Sequence, residues 1–198
     1  MAAEAAAEAG LSAAVPGQRA RLLVSGPPGA GKTTTMAALS DIPLLFIGVA
    51  ATDAPTFERD GTTVGMDYGQ VMLEGGELLS LYATPGQPRT AFRWPILAQG
   101  ASGLILLLNH QRTDPLSDLR AFVLAFASMF AAQRAVIGIS RHSPASGPSL
   151  DDYMNCLQKL GADAPMLVVD VREREDVLLL VEALDLLQNA ATHSGAPA

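Results

Sequence analysis

The chain reads as a three-layer α/β sandwich, with a mostly parallel sheet, one antiparallel edge strand and helices on both faces. Three observations predict this. Short apolar runs of strand length alternate with segments of helical periodicity from residue 21 to residue 188. A glycine-rich turn, residues 26–31, joins the first strand to the first helix. Two apolar segments, residues 64–73 and 78–83, flank Glu74-Gly75-Gly76-Glu77. Glycines there allow the positive φ of a hairpin turn, so this pair supplies the antiparallel edge.

The elements follow in order. Residues 21–25 run apolar into the glycine-rich turn, and a helix covers residues 32–39. Residues 43–49 are apolar and form a candidate added strand, whereas 51–62 are polar, contain Pro55 and Gly61, and read as loop. After the hairpin, residues 84–88 form a second loop, and 90–99 contain a helix interrupted near Pro95. Residues 104–108 are a continuous apolar run between Gly103 and Asn109, the mark of a strand buried on both faces. Asp114 then caps a helix that has Pro115 at its first position. Leu116, Leu119, Phe122, Phe126 and Phe130 recur at helical spacing and should face the core. Residues 135–139 are another buried strand. Residues 149–160 form a helix opened by the capping box Ser149/Asp152 and closed by Gly161. Residues 166–169 give the last strand and 175–188 the last helix.

Length and composition bound the function. A chain of 198 residues with 49% apolar and 17% charged residues supports one ordinary domain with a sizeable core. Residues 1–18 are an alanine-rich tail expected to be disordered, 19–190 the domain, and 191–198 a flexible C-terminal tail. Net charge −7 gives no general positive field for nucleic acid. The single cysteine, Cys156, excludes an internal disulfide and any multi-cysteine metal site, and suits a cytoplasmic setting. No apolar run reaches the roughly twenty residues that span a bilayer. With no cysteine near the C-terminus, no membrane anchor is expected either.

The most specific signal is Gly26-Pro27-Pro28-Gly29-Ala30-Gly31-Lys32-Thr33, which matches G-x-x-x-x-G-K-[ST] between a predicted strand and a predicted helix. In such a P-loop, glycines let successive N–H groups curl around a phosphate at a helix N-terminus. The lysine reaches the β- and γ-phosphates, and the hydroxyl at Thr33 is a Mg²⁺ ligand. Gly26, Gly29, Ala30, Gly31, Lys32, Thr33 and Thr34 are therefore the candidate phosphate-binding residues of a P-loop NTPase.

Two further segments carry a family resemblance. Thr63-Val64-Gly65-Met66-Asp67-Tyr68 resembles switch I of Ras-like small GTPases, and Thr84-Pro85-Gly86-Gln87 resembles their switch II. Pro85 before Gly86 and the non-acidic Ala83 resemble the bacterial MglA-like branch of predicted ATP/GTP-binding proteins. The resemblance covers residues 20–188 and implies a small G domain that binds GTP or GDP with Mg²⁺ and hydrolyses GTP slowly. It implies that Thr63 completes the metal shell with Thr33, that the Gly86 N–H binds the γ-phosphate, and that Gln87 orients the attacking water. Arg59, four residues before Thr63, and Arg89, two after Gln87, are the candidates for a cation acting in cis on the transferring phosphoryl group, with Arg59 the better placed. A roadblock-type regulator or an activating factor is the partner implied.

The departures from that pattern matter. The switch II aspartate position is Ala83, and Asp67 or Asp53 would have to take over its duty toward Mg²⁺. The base-reading N-K-x-D should follow the strand at 135–139, where Ser140-Arg141-His142-Ser143 stands instead. Arg141 is then the candidate base-side contact, Val171-Arg172 occupies the last base-contacting loop, and ATP remains open beside GTP. The contrary reading is a degenerate nucleotide-holding scaffold. A mechanical ATPase would need an acid after residues 104–108, and Asn109 stands there. Trp94 fits either a partner contact or a helix anchor. Cys156 reads as a core thiol, and the three histidines show no metal-ligand spacing.

Overall fold

The computed structural model describes residues 20–49, 64–72, 78–86 and 94–194. Its elements are β1 (Arg21–Ser25), α1 (Lys32–Leu39), β2 (Leu45–Val49), β3 (Val64–Met72), β4 (Leu78–Ala83), α2 (Trp94–Ala98), β5 (Gly103–Asn109), α3 (Pro115–Ala125), α4 (Ala127–Ala131), β6 (Ala135–Ser140), α5 (Leu150–Lys159), β7 (Met166–Val169) and α6 (Arg174–Ser194). The turn at 74–77, the loop at 51–62, residues 1–18 and Gln87 through Pro88 lie outside the described residues.

Seven strands form one sheet in the order β2-β3-β4-β1-β5-β6-β7. β1 pairs in parallel with both β4 and β5, and β5-β6-β7 continue in parallel. The antiparallel pairing is confined to one edge of the sheet, where β3 runs opposite to β2 and β4. The predicted added strand exists as β2.

Alternation along the central strands builds two cores. Leu22, Val24, Ile105, Leu107 and Val136 face α1 and α6, against Met36, Leu39, Leu180 and Leu184. Leu23, Leu104, Leu106, Leu108, Ile137 and Ile139 face α2 to α5. Both faces of the sheet are thereby covered, as a parallel sheet requires. The carboxyl ends of β1, β4, β5, β6 and β7 converge on one rim, the usual place for a ligand in an open α/β sheet.

Local chemistry sets the element ends. Asp114 caps α3 by accepting from the Ser117 N–H, and Pro115 opens it. The apolar repeat does not lie on one helix: α3 ends at Ala125, and Phe126 forms the joint to α4 at φ −109°. Leu119, Phe122, Phe126 and Phe130 are buried, while Leu116 is partly buried against the same core. Both halves of the Ser149/Asp152 capping box form, and Gly161 closes α5 at φ +67°. α6 runs past the expected end at residue 188 to Ser194, because no glycine or proline interrupts it before Gly195. α2 spans Trp94–Ala98 with Pro95 at its second position, and residues 90–93 of the expected helix lie outside the described residues.

Candidate phosphate-binding site

The loop at 26–31 leaves the end of β1 and enters α1 through a left-handed Gly31, φ 97° and ψ 18°. Gly26 and Gly29 also have positive φ, at 145° and 76°. A Cβ at Gly26 would lie 2.1 Å from the Leu107 carbonyl oxygen, so only glycine fits beneath β5. The loop's carbonyls are engaged one by one. Lys32 Nζ donates to Gly26 O at 2.8 Å and Pro27 O at 2.9 Å. Arg112 reaches Pro28 O at 3.4 Å, and Asn109 Nδ2 donates to Gly29 O at 3.2 Å. Ser140 Oγ donates to Ala30 O at 3.0 Å, and the Thr35 N–H to Gly31 O at 2.8 Å. Fixing the carbonyls fixes the peptide planes. That is what a preorganised nest for an anion needs.

Lys32 is the cation of this nest. Burial pulls its pKa from the ordinary 10.5 down to about 8, with Asp67 pushing upward and Arg112 downward. An ammonium held at that cost gains strongly from an anion beside it. Thr33 Oγ1 donates to Asp67 Oδ2 at 2.6 Å, which ties α1 to β3 at the mouth of the loop. Asp67 stands opposite Ala83 in the β3–β4 register. The sheet therefore carries a carboxylate one strand away from the place where the switch II aspartate was expected.

Gly86 packs directly on the loop. A Cβ there would sit 2.6 Å from both Gly26 O and Lys32 Nζ. The approach is fixed by Thr84, buried behind it. Its Oγ1 shares a 2.7 Å hydrogen bond with Ser25 Oγ, and its N–H donates to Val24 O. The structure thus brings Gly26, Gly29, Ala30, Gly31, Lys32, Thr33 and Gly86 together. Arg59, Thr63 and Gln87 lie outside the described residues, as do Asp53 and Arg89.

A cavity of about 650 Å³ continues from the loop toward the ends of β6 and β7, with Gly31 and Thr34 at one side and Arg141, Asp170 and Arg172 at the other. Arg141 turns the chain after β6 at φ +55°. Arg172 holds Asp170 in an ion pair, which keeps that carboxyl at about 2. Gly31 is also required here, since a Cβ would lie 2.7 Å from Val171 Cγ2.

Asn109, Arg112 and Ser140 escaped sequence reasoning as loop anchors. Ser140 and Asn109 each end a buried apolar strand, a polar residue at a carboxyl end, and that signal was available. Two other expectations resolve. Trp94 is an anchor: it is buried, donates from Nε1 to Pro85 O at 3.0 Å and stacks on Phe122 at 4.1 Å. Cys156 is a buried free thiol. His110 and His142 meet at 4.7 Å, but His110 is held by Tyr153 and by the Ser146 carbonyl. Among the described residues no group of three or more His, Cys, Asp or Glu could hold a metal. No described helix is long and apolar enough to cross a membrane.

The sheet order and the loop define a P-loop α/β domain with the G-domain fold. Among solved structures, the chain is similar to the G domain of the FeoB iron transporter of T. maritima. The TM-score is 0.56 at 15% identity, and the match covers 86% of this chain and 99% of that one. No family model matches the chain, and neither does any curated protein.

Proposed function

We propose that this protein is a nucleotide-dependent molecular switch, a small GTPase-like P-loop NTP hydrolase of the MglA-like branch with slow turnover. One observation carries the reading: Gly86 lies against Lys32 and the Gly26 carbonyl, so a segment of switch II type touches the phosphate loop. A terminal phosphate bound at the loop would meet the Gly86 N–H, and its loss would release that segment. The domain spans residues 19–190 and works in the cytoplasm, with a roadblock-type regulator or an activating factor as protein partner.

The residues present fit Mg²⁺. The hydroxyl of Thr33 and the carboxylate of Asp67 are hard oxygen donors 2.6 Å apart at the loop mouth. Mg²⁺ commonly uses one or two such groups together with substrate phosphates. Thr33 would hold the ion with Thr63, and Asp67 would take the outer position vacated at Ala83. When bound, the ion neutralises charge on the β- and γ-phosphates. Lys32 and the loop N–H groups hold the phosphates, Gln87 positions water, and Arg59 supplies the cation in cis.

Titration with fluorescent GTP and ATP, with and without Mg²⁺, tests this on the wild type and on Lys32→Ala. Both nucleotides should be lost from the variant, and Gln87→Ala should slow turnover without loss of binding. The buried Ala83 favours a second reading, a scaffold that holds nucleotide inertly. Binding with no turnover, in wild type and variant alike, would select it.

A further inference from the structure

The phosphate loop contains two prolines, and they leave its first half short of donors. Pro27 and Pro28 have no N–H, and the Ala30 N–H is spent on Pro27 O at 3.3 Å. Between Gly26 and Gly31, only the Gly29 N–H meets no acceptor among the described residues. We propose that Arg112, aimed by Asp118, is a positioning residue that turns this N–H toward the terminal phosphate and so sets the preference of the site for a triphosphate over a diphosphate. The inference rests on the nucleotide reading above and adds what tells the two nucleotide states apart.

Peptide geometry links the arginine to the donor. A trans peptide unit is planar, so its C=O and N–H point in opposite directions. Arg112 Nη1 donates to Pro28 O at 3.4 Å and draws that carbonyl toward α3. The N–H of the same peptide unit belongs to Gly29, and it is thereby turned away from α3 and into the loop. Its place is the terminal-phosphate end. Gly86 packs on this stretch, since a Cβ there would lie 2.6 Å from Gly26 O and 2.9 Å from the Pro27 carbonyl carbon. A diphosphate held by Lys32 and the N–H groups at the head of α1 would leave the Gly29 N–H unused, and a triphosphate would engage it.

Arg112 is built to hold one direction. It leaves β5 through a tight turn, in which its own N–H donates to Asn109 O at 3.2 Å and the Gln111 N–H to Asn109 Oδ1 at 3.0 Å. Its Nε donates to Asp118 Oδ2 at 2.5 Å. Asp118 stands in the first turn of α3, which Asp114 and Pro115 fix. A guanidinium is a rigid planar fork, so a carboxylate on Nε decides where Nη1 lies. The Asp118 side chain is only 19% exposed, which separates this pair from freely solvated surface partners. Arg112 also lies close enough to Lys32 to push its pKa down, so both cations act on one loop. A donor aimed in advance needs no reorganisation when the anion arrives.

The test is titration of the full chain in Mg²⁺ with N-methylanthraniloyl-labelled GDP, ADP and their non-hydrolysable β,γ-imido triphosphates, with thermal melts to establish that each variant folds. Arg112→Ala should lose about tenfold or more for the triphosphate that wild type binds, and less than about threefold for the matching diphosphate. Asp118→Ala should show the same selective loss, and combining it with Arg112→Ala should cost little more, as expected of two residues acting as one unit. Arg112→Lys should not recover the triphosphate, because an ammonium cannot serve Asp118 and Pro28 O from a fixed fork. Equal losses for diphosphate and triphosphate, an unchanged ratio, or full recovery in Arg112→Lys overturns the assignment. If Lys32→Ala meanwhile abolishes binding, the nucleotide reading stands without it. Failure of wild type to bind any of the four overturns both.

Discussion

Lys32 carries a burial penalty that a pH series can read. Its folded pKa of about 8, against an ordinary 10.5, means that burial disfavours the charged form. At roughly 1.4 kcal/mol per pH unit, that gap corresponds to about 3 kcal/mol of lost stability at neutral pH. The sign follows from proton counting. Between about pH 8 and 10.5 the unfolded chain binds more protons at this site than the folded one, so stability rises with pH there. The full penalty holds below about pH 8 and vanishes above about pH 10.5. Replacement by methionine keeps the length and removes the charge, at the expense of the hydrogen bonds to Gly26 O and Pro27 O. Those two bonds are worth about 1 kcal/mol each, so Lys32→Met should be more stable than wild type at pH 7 by about 1 kcal/mol while binding no nucleotide. Urea denaturation of both proteins from about pH 7 to about pH 10 reads the effect, since wild type should gain roughly 2–3 kcal/mol relative to the variant across that range. Tyr153, pushed up to about 12 by burial, titrates identically in both and cancels. A stability difference that stays flat with pH refutes the claim that Lys32 is a desolvated cation awaiting phosphate.

Other perturbations probe different contacts. Gly86→Ala places a Cβ 2.6 Å from the Gly26 carbonyl oxygen and 2.9 Å from the Pro27 carbonyl carbon, neither of which can yield easily. Thermal melts should show a loss of about 1–3 kcal/mol, with weaker nucleotide binding. Asp67→Asn should cut the Mg²⁺-dependent part of nucleotide affinity by about tenfold or more, read by calorimetry with Mg²⁺ and with EDTA. Retention of the full Mg²⁺ effect would place the outer carboxylate elsewhere. Asp185, buried on α6 with Oδ1 lacking a hydrogen-bond partner among the described residues and Oδ2 accepting from Asn189, has its pKa raised by burial. Its folded form therefore favours the proton, and stability falls as pH rises from the ordinary value of 3.8 up to that raised value, where the loss is complete. Asp185→Asn should stabilise the protein at pH 7, and chemical denaturation should show the advantage shrinking as pH falls toward the ordinary carboxyl range.

Most of the architecture was legible because its signals are local. Apolar runs, the Ser149/Asp152 box, Asp114-Pro115 and Gly161 each specify their own element through nearby backbone groups. The phosphate loop was legible for the same reason, as a pattern of eight consecutive residues whose glycine positions are dictated by φ. Less was visible where neighbours in space are distant in sequence. Nothing local marks Arg112 as a partner of Pro28, or Asn109 as a partner of Gly29, since loop closure brings them together across 84 and 80 positions.

The sequence by itself determined that a strand, a glycine-rich turn and a helix follow one another, and that Lys32 and Thr33 stand at the head of that helix. Only tertiary structure decided which carboxylate serves them. Asp67 reaches Thr33 because β3 runs antiparallel beside β4, which sets residue 67 opposite residue 83. Strand register is a property of pairing between segments, and no segment carries it alone.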